Sequence, residues 1–296
     1  MTSPFDTLAK SKLTHKPVLH FVHANGFPAK VYMPLFELWE AVFSVEVIEL
    51  FGTDERYHID RHWQGLTQQV LESIEQACYK HGVDKLVAVG HSVGALTTLQ
   101  AITQDPTHIS QSVLLDPALL MGKNSLSYFI AELLNKPLTH FNKPPYFLID
   151  KLSPAGKSKF RKDSFTSLEA VADNLRHKAL FQAFDPRCFD LYLQYGFIPT
   201  TDGTFTLAIP KRQEIAIFRT MPSLYWLKSP TLYRPSTIIA GKDSYFMHIG
   251  SYQKAHQRWG IPLLIADGTH MFPLEHPEAT ANLVLETIYQ QIIAKS

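Results

Sequence analysis

Short apolar runs bounded by turn residues recur along the chain and define its predicted architecture. The runs that are typical of buried or half-buried strands are four to six residues long, and they occupy residues 18–22, 45–50, 86–89, 112–115, 237–240 and 263–266. Segments with helical spacing follow several of them, as in a parallel sheet covered by helices. The predicted fold class is therefore α/β, with a mostly parallel central β-sheet flanked by helices.

Helical spacing between the runs supports this fold class. Residues 95–101 follow the third run and can form a helix, and a last helix is expected from about Pro277, a residue that suits a first helical turn. Apolar residues recur at helical spacing before the third run and in the last helix, namely Trp63, Leu66, Val70, Ile74 and Ala77, and then Leu285, Ile288 and Ile292. Each of these helices therefore has an apolar face to pack on the sheet.

The stretch from residue 118 to residue 235 departs from this rhythm and is rich in aromatic residues. Its clearest pattern is an amphipathic segment from Leu168 to Phe184. We expect an inserted, mainly helical lid here. Because the insertion begins at the C-terminal end of a strand, it should cover the crevice where open α/β sheets bind ligands. The predicted domains are a core of residues 1–117 and 236–296 and a lid of residues 118–235.

Composition and charge restrict the class of partner. Among 296 residues, 45% are hydrophobic and 19% charged, and 28 Lys and Arg nearly balance 27 Asp and Glu. With a formal charge of +1, no net field attracts nucleic acid or an anionic membrane. We therefore expect a small-molecule substrate, with no nucleic-acid or membrane partner. No cluster of ligand-type residues completes a metal site, so neither a metal nor a cofactor is expected.

The two cysteines, Cys78 and Cys188, lie far apart and form neither a disulfide framework nor a CxxC motif. The N-terminal stretch from Met1 to Lys16 contains no continuous apolar segment like that of a signal peptide. No later run approaches the ~20 apolar residues of a membrane span. The sequence favours a cytoplasmic location and leaves the oligomeric state open.

Gly90-His91-Ser92-Val93-Gly94 has the form G-x-S-x-G and lies between an apolar strand and a helix-capable segment. A tight strand-to-helix turn of this kind holds a serine in a strained conformation with its hydroxyl exposed. The next backbone N–H, that of Val93, then lies at a helix N-terminus and can stabilise an oxyanion. The motif predicts Ser92 as a nucleophile; the alternative is a glycine-rich turn whose serine only caps the helix.

A serine hydroxyl needs a base, and the candidate is His270, just beyond the last predicted strand. Two aspartates could orient its imidazole. Asp243, which follows the strand before the histidine, is the first choice. Asp116 ends the strand after the nucleophile and is the alternative, although an aspartate before Pro117 can also be a plain turn residue.

The segment His23-Ala24-Asn25-Gly26-Phe27-Pro28 follows the first strong strand. The backbone N–H of Asn25 is expected to be the second oxyanion donor beside that of Val93, and one good donor contributes on the order of 3 kcal/mol to a transition state. The alternative is a structural Gly-Pro turn. The side chains of His23, Phe27 and His91 are expected to line the substrate pocket.

These motifs resemble the α/β-hydrolase superfamily over nearly the whole chain, with His-Ala-Asn-Gly-Phe-Pro in place of the His-Gly opening common in its esterases. The chain is most similar to a bacterial group with this opening, from which no substrate carries over. The resemblance implies hydrolase chemistry with the order serine, acid, histidine. In that group the site after the seventh strand is not dependably acidic, which keeps Asp116 open. The segment Phe51-Gly52-Thr53-Asp54 also departs from the usual glycine-rich turn.

The sequence thus predicts a serine hydrolase, centrally a carboxylesterase, that acts on a small and partly apolar substrate through an acyl-enzyme. The aromatic residues of the lid suggest an apolar substrate moiety, or else plain packing. Carbon–carbon bond hydrolysis and acyl transfer use the same serine machinery and stay open. A second class of hypothesis is a non-catalytic binding protein on this fold.

Overall fold

A six-stranded sheet with all of its strands parallel forms the centre of the computed structural model, which describes residues 16–139, 145–227, 232 and 234–294. Residues 1–15, where no signal peptide is expected, lie outside this description. The strands of the described residues are, in chain order, β1 (Val18–Val22), β2 (Ser44–Val47), β3 (Leu86–His91), β4 (Ile109–Leu115), β5 (Ser164–Phe165), β6 (Phe197–Pro199), β7 (Phe205–Leu207), β8 (Ser236–Gly241) and β9 (Leu263–Ala266).

The six runs predicted as strands are the six strands of this sheet, in the order β2-β1-β3-β4-β8-β9. The α/β fold class is thereby confirmed. The boundaries differ by a few residues: β2 ends at Val47 rather than at residue 50, and β4 begins at Ile109 rather than at residue 112.

Helices cover both faces of the sheet and fill the insertion. The α-helices of the described residues are, in chain order, α1 (Met33–Trp39), α2 (Gln64–His81), α3 (Val93–Gln104), α4 (Gly122–Thr139), α5 (Phe147–Leu152), α6 (Ala155–Ser158), α7 (Leu168–Arg176), α8 (Ala179–Gln182), α9 (Pro186–Tyr195), α10 (Lys211–Arg219), α11 (Tyr245–His248), α12 (Ser251–Trp259), α13 (Phe272–Glu275) and α14 (Pro277–Ile293). Among the described residues, no helix is both long and apolar enough to cross a bilayer.

Strand alternation divides the hydrophobic core into two clusters, one on each face of the sheet. Successive side chains of a strand point to opposite faces, so Val18 and Val22 pack in the cluster that contains apolar residues of α2 and α3. Leu19 and Phe21 pack in the other cluster, with residues of α1 and α14. The centre of the sheet is thus buried on both sides, which explains why apolar residues predominate on both faces of β1 and β3.

The strand order also determines where a site can form. The chain passes from β1 to β2 on one side and then returns across β1 to β3, after which the sheet grows in the opposite direction. In open α/β sheets such a reversal leaves a crevice at the carboxyl ends of the two strands, and ligands bind there. In this chain, β1 leads into residues 23–28 and β3 leads into Ser92.

The chain between β4 and β8 forms an insertion that is mainly helical, as predicted, and contains α4 to α10. It also contains a small antiparallel sheet in the order β5-β7-β6 that the sequence pattern did not reveal. The amphipathic segment expected over 168–184 is two helices, α7 and α8, because Lys178 between them has an extended backbone with φ −84° and ψ 131°. The limits of residues 118–235 as a separate lid domain stay a prediction.

Candidate active site

The turn between β3 and α3 holds Ser92 in a backbone conformation that few non-glycine residues adopt, with φ 57° and ψ −114°. Such a conformation costs about 1–3 kcal/mol and persists only where its surroundings enforce it. Here the Ser92 N–H donates to the carbonyl of Leu115 at 2.9 Å, and the Ser92 carbonyl accepts from the N–H groups of Leu96 and Ala118. The end of the neighbouring strand β4 therefore helps to hold the strained turn.

The two glycines of the G-x-S-x-G motif are needed for close backbone approach. A Cβ on Gly90 would lie 2.4 Å from the carbonyl oxygen of Gly94, and a Cβ on Gly94 would lie 2.2 Å from the carbonyl oxygen of Val22. Both distances are too short for any side chain. The motif therefore packs α3 directly on β3 and β1, and this packing places Ser92 above the crevice.

The hydroxyl of Ser92 and the imidazole of His270 meet at this edge of the sheet. Ser92 Oγ lies 2.8 Å from His270 Nε2, although 178 residues separate them in sequence. His270 follows β9 and precedes α13, while Ser92 follows β3. Parallel strands bring both loops to the same edge, so the structure places the predicted nucleophile within hydrogen-bonding reach of the predicted base.

The carboxylate in contact with His270 is that of Asp116. Asp116 Oδ1 accepts from His270 Nδ1 at 2.7 Å. Because a carboxylate can only accept this bond, Nδ1 carries the proton and Nε2 presents its lone pair to the Ser92 hydroxyl. The imidazole thus has the tautomer that a general base for Ser92 needs.

The first-choice acid, Asp243, does not occupy this position, which corrects the sequence-based expectation. Its side chain is exposed, and its backbone N–H donates to the carbonyl of Gly268. Asp116 is fully buried and lies directly after β4, beside the nucleophile strand. The loop after β8 instead turns its backbone and Ser244 toward Asp116.

Asp116 is held by an unusually complete set of donors. Besides His270, its Oδ1 accepts from Ser244 Oγ at 2.6 Å and from Tyr252 Oη at 2.7 Å, and its Oδ2 accepts from the Gly241 N–H at 2.7 Å. Burial, and then the charge of Asp116, raise the pKa of Tyr252 well above its usual value, so the phenol stays a donor. Hydrogen bonds from several donors compensate for the desolvation of this carboxylate.

The two predicted oxyanion donors lie just beyond the ends of β1 and β3, the two strands that flank the crevice. Val93 is the first residue of α3, so its backbone N–H has no acceptor within the helix. Asn25 lies in the turn after β1, and its side-chain Nδ2 donates to the carbonyl of Glu214 in the insertion at 3.0 Å. The roles of the two N–H groups stay predictions, but their strands are hydrogen-bonded neighbours.

The side chains expected in the substrate pocket are instead buried in the protein. His23 is fully buried, with Nδ1 on the carbonyl of Ala24 at 2.8 Å and Nε2 on the Phe51 N–H at 2.7 Å. Phe27 is 7% exposed and packs among aromatic rings of the insertion, those of Phe181, Phe184 and Tyr192. The ring nitrogens of His23 are paired within the protein, and the ring of Phe27 is packed on other rings. These two side chains therefore have little surface left for a substrate.

His91, the third of these side chains, takes part in a chain of buried hydrogen bonds. Its Nε2 lies 2.8 Å from the carbonyl of His270, so it donates there, and its Nδ1 accepts from Tyr32 Oη at 2.7 Å. The same phenol oxygen accepts from the Ala24 N–H at 3.3 Å. Burial lowers the pKa of His91 well below its usual value, which keeps it neutral. One directional chain therefore ties the loop after β1, the nucleophile turn and the loop that carries His270.

Buried neutral histidines predict a loss of stability in mild acid. Burial lowers the pKa of His20 and of His23 to about 4, whereas in the unfolded chain histidine titrates near 6.5. Below pH 6.5 the unfolded state binds protons that the folded state does not, so the free energy of unfolding falls as the pH falls toward 4. Between pH 7 and pH 5, each of the two histidines is expected to lower the free energy of unfolding by about 2 kcal/mol. Urea unfolding at the two pH values measures this loss.

His20→Gln is the matched variant for this measurement, because an amide does not titrate and can still pair with Ser73 Oγ, which lies 2.8 Å from His20 Nε2. Its loss between pH 7 and pH 5 should be smaller than that of the unaltered protein by about 2 kcal/mol. An equal loss in the two proteins contradicts the assignment.

Two sets of site residues escaped sequence reasoning. Ser244 and Tyr252 donate to Asp116, and Tyr32 joins the chain through His91. Tyr32 and Tyr252 follow no motif, and both are completely buried in the structure. Ser244 had a weak signal, since it follows Asp243 at the end of a predicted strand. In the part of the chain that the structure describes, no group of three or more His, Cys, Asp or Glu could hold a metal ion.

Comparison with known proteins identifies the family and the fold. A family model described as an alpha/beta hydrolase family matches residues 21–283, which is most of the chain. A comparison with curated proteins finds no match.

Solved structures share the fold. E-2-(acetamidomethylene)succinate hydrolase is 16% identical, with a TM-score of 0.70 over 92% of this chain and 91% of its own. A peroxisomal alpha-beta-hydrolase of Saccharomyces cerevisiae is 13% identical, with a TM-score of 0.72 over 96% and 80%. A thioesterase domain from the curacin biosynthetic pathway is 17% identical, with a TM-score of 0.64 over 91% of each chain. Identities this low establish a common fold and no common substrate.

Proposed function

Because the chain belongs to the alpha/beta hydrolase family, we propose that it is a serine hydrolase that cleaves an ester-like bond of a small, partly apolar substrate through an acyl-enzyme. The observation that carries the proposal is the hydrogen-bonded series from Ser92 Oγ to His270 Nε2 at 2.8 Å and from His270 Nδ1 to Asp116 Oδ1 at 2.7 Å. A hydroxyl, an imidazole and a buried carboxylate in this order are the parts that nucleophilic acyl transfer needs.

In the proposed reaction, Ser92 Oγ attacks the substrate carbonyl while His270 Nε2 takes the hydroxyl proton. The new C–O bond gives a tetrahedral intermediate, whose collapse breaks the ester bond, and the leaving alcohol takes the proton from His270. Water then attacks the acyl-enzyme, with His270 as its base, and releases the acid and Ser92. Asp116 holds the imidazole in place and stabilises its charged form during both steps.

The oxyanion of each tetrahedral intermediate needs two donors, for which we propose the backbone N–H groups of Val93 and Asn25. The N-terminus of α3 helps to stabilise this negative charge, because the first N–H groups of a helix have no acceptor within the helix and carry a partial positive charge. Donors fixed before the reaction need no reorganisation when the charge develops, and each typically changes kcat by 10²- to 10³-fold.

The aromatic rings of the insertion support a small acyl pocket rather than a deep one. Phe181 and Phe184 are 8% and 7% exposed, and Tyr192 is fully buried. The ring centroid of Phe181 lies 5.2 Å from those of Phe184 and Tyr192. The ring of Phe27 packs on all three, with centroid distances of 5.0 Å to 6.3 Å. Rings packed in this way serve as the core of the insertion. A long acyl chain has to displace them.

We expect p-nitrophenyl esters with acetyl to hexanoyl groups to be hydrolysed, and the rate to fall for decanoyl and longer esters. The measurement is kcat/KM along the series, with a pre-steady-state burst of p-nitrophenol as the sign of an acyl-enzyme. A preference for the decanoyl ester contradicts the small pocket. The absence of hydrolysis along the whole series contradicts ester cleavage and favours carbon–carbon hydrolysis, acyl transfer or a binding role.

A further inference from the structure

A partly buried polar cluster in the insertion lies outside the series from Ser92 to Asp116. It consists of Ser158, Arg161, Tyr192 and Glu214, and we call it the clamp. Glu214 Oε2 accepts from Arg161 Nη1 at 2.7 Å, and Glu214 Oε1 accepts from Ser158 Oγ at 2.8 Å. Arg161 Nη2 also donates to the Tyr192 hydroxyl. Ser158 ends α6 and Arg161 follows it, whereas Tyr192 belongs to α9 and Glu214 to α10. The ion pair between Arg161 and Glu214 thus joins three helices of the insertion.

The clamp contacts three consecutive residues of the loop after β1. Asn25 Nδ2 donates to the backbone carbonyl of Glu214 at 3.0 Å. A Cβ built on Gly26 would lie 3.2 Å from Glu214 Oε2 and 3.8 Å from Arg161 Nη1, so the bare glycine backbone runs directly against the ion pair. The ring of Phe27 lies 5.0 Å from that of Tyr192. The loop that carries the proposed oxyanion donor is therefore held from the insertion side by the clamp.

From the core side the same loop is held by different contacts. The Ala24 N–H donates to Tyr32 Oη, and His23 pairs with the Phe51 N–H. Residues 23–27 thus lie between two rigid sets of partners, one in the core and one in the insertion. An N–H group that must meet a developing charge gains from such fixation, because a displacement of about 1 Å can cost 10²-fold in rate.

The burial of the ion pair explains why it fixes geometry. The side chains of Glu214 and Arg161 are 7% and 18% exposed. Burial alone lowers the pKa of Arg161, but Tyr192 and Glu214 outweigh it and raise that pKa, so the guanidinium stays charged. A buried pair contributes little net stability because of its desolvation cost, yet removal of one partner leaves an uncompensated charge. The two side chains are therefore bound to one arrangement.

We propose that Glu214 and Arg161 are positioning residues that hold the backbone N–H of Asn25 where the oxyanion forms, so that the insertion completes the oxyanion hole. This inference rests on the proposed function. It assigns to the insertion a part in the chemical step, beyond covering the crevice. It also explains the role of the Asn25 side chain, which attaches the loop to α10. Any residue except proline could supply the backbone N–H, but not this attachment.

Glu214→Gln tests the proposal, because the amide keeps the shape of the side chain and breaks the charge pair with Arg161. We expect kcat for p-nitrophenyl butyrate to fall about 10- to 100-fold, with KM changed less than about 2-fold. Binding of a trifluoromethyl ketone that forms a tetrahedral adduct with the nucleophile should weaken by about the same factor as kcat. A structural role alone lowers the melting temperature and does not tie these two losses together.

Asp150→Asn is the matched control. Asp150 forms a bidentate pair with Arg219, at 2.8 Å for both contacts, and its side chain is 7% exposed. Arg219 belongs to the same helix as Glu214, α10, so the two variants disturb the same element by similar chemistry. The control should lose melting temperature as Glu214→Gln does, and keep kcat and ketone affinity.

Equal kinetic losses in the two variants, or a loss confined to KM, overturn the proposal. If Glu214→Gln does not fold, Asn25→Ala takes its place, because it removes the attachment to α10 and keeps the backbone N–H. An unchanged kcat in Asn25→Ala likewise overturns the inference. Failure of the proposed function is distinguishable from failure of this inference. In that case the unaltered protein neither hydrolyses the esters nor forms the ketone adduct.

Discussion

Replacement of Ser92 with alanine is expected to lower kcat/KM for ester hydrolysis by at least about 10⁴-fold. The nucleophilic oxygen is removed, and His270 Nε2, 2.8 Å from it, loses the hydroxyl that gives it a proton in the first step of the proposed reaction. The residual activity is expected to come from direct hydrolysis by water in the same site. The measurement is steady-state turnover of p-nitrophenyl butyrate.

A fluorophosphonate probe gives a second measurement that does not depend on the choice of substrate. The unaltered protein should acquire one phosphonyl group on the peptide that contains Ser92, and Ser92→Ala should acquire none. Ser127→Ala is a suitable control, because it removes a serine hydroxyl that donates to the carbonyl of Lys123 on the same helix, α4, and it should leave the label in place. Persistence of label or turnover in Ser92→Ala contradicts the assignment of the nucleophile. A protein that is never labelled belongs to the class of non-catalytic binders.

The meeting of Ser92 and His270 could be predicted from the sequence, because the signals that locate the two residues are short motifs and strand ends. The strand before Ser92, the two glycines around it and the helix after it together determine one turn, and close packing of Gly94 on Val22 leaves no other arrangement. His270 needed only the knowledge that parallel strands end at one edge of the sheet, since it follows the last predicted strand. The six strands of that sheet were also predictable, because each contains a short run of mostly apolar residues bounded by turn residues.

The acid could not be chosen by the same logic. Asp116 and Asp243 follow β4 and β8, which are hydrogen-bonded neighbours in the sheet, so both are candidates by position. The choice depends on the path of each loop over a few residues. Asp116 has a positive φ of 41° and turns inward, whereas the backbone at Gly241 and the hydroxyl of Ser244 fill the remaining space around its carboxylate. No pattern in the sequence reports such a path.

The short elements of the insertion were unpredictable for a related reason. Strands β5, β6 and β7 contain two or three residues each, which is too short to show alternation. The clamp combines Arg161 and Glu214, which lie 53 residues apart in sequence, and charged residues in a helical pattern are normally read as a solvated face. Aromatic residues of the insertion were visible, but only the structure distinguishes rings that pack on one another from rings that line a pocket.

Asp116→Asn is expected to lower kcat about 10⁴-fold, whereas Asp243→Asn should leave it within about 2-fold of the unaltered protein. Oδ1 of Asp116 receives three donors, from His270, Ser244 and Tyr252, and Oδ2 receives the Gly241 N–H. An amide can accept on one side only, so one set of donors meets an NH₂ group. The amide also carries no charge to stabilise the imidazolium that forms when Ser92 gives up its proton.

The comparison of these two aspartate variants decides the acid, because the substitutions are chemically identical and the side chains differ in burial. Asp116 is fully buried and Asp243 is exposed, so melting temperatures should be recorded to separate loss of fold from loss of catalysis. Folded Asp116→Asn should still react slowly with the fluorophosphonate probe, since Ser92 and the oxyanion donors remain. A larger loss of kcat in Asp243→Asn than in Asp116→Asn contradicts the assignment, because it requires the loop after β8 to move the exposed carboxylate onto His270 during the reaction.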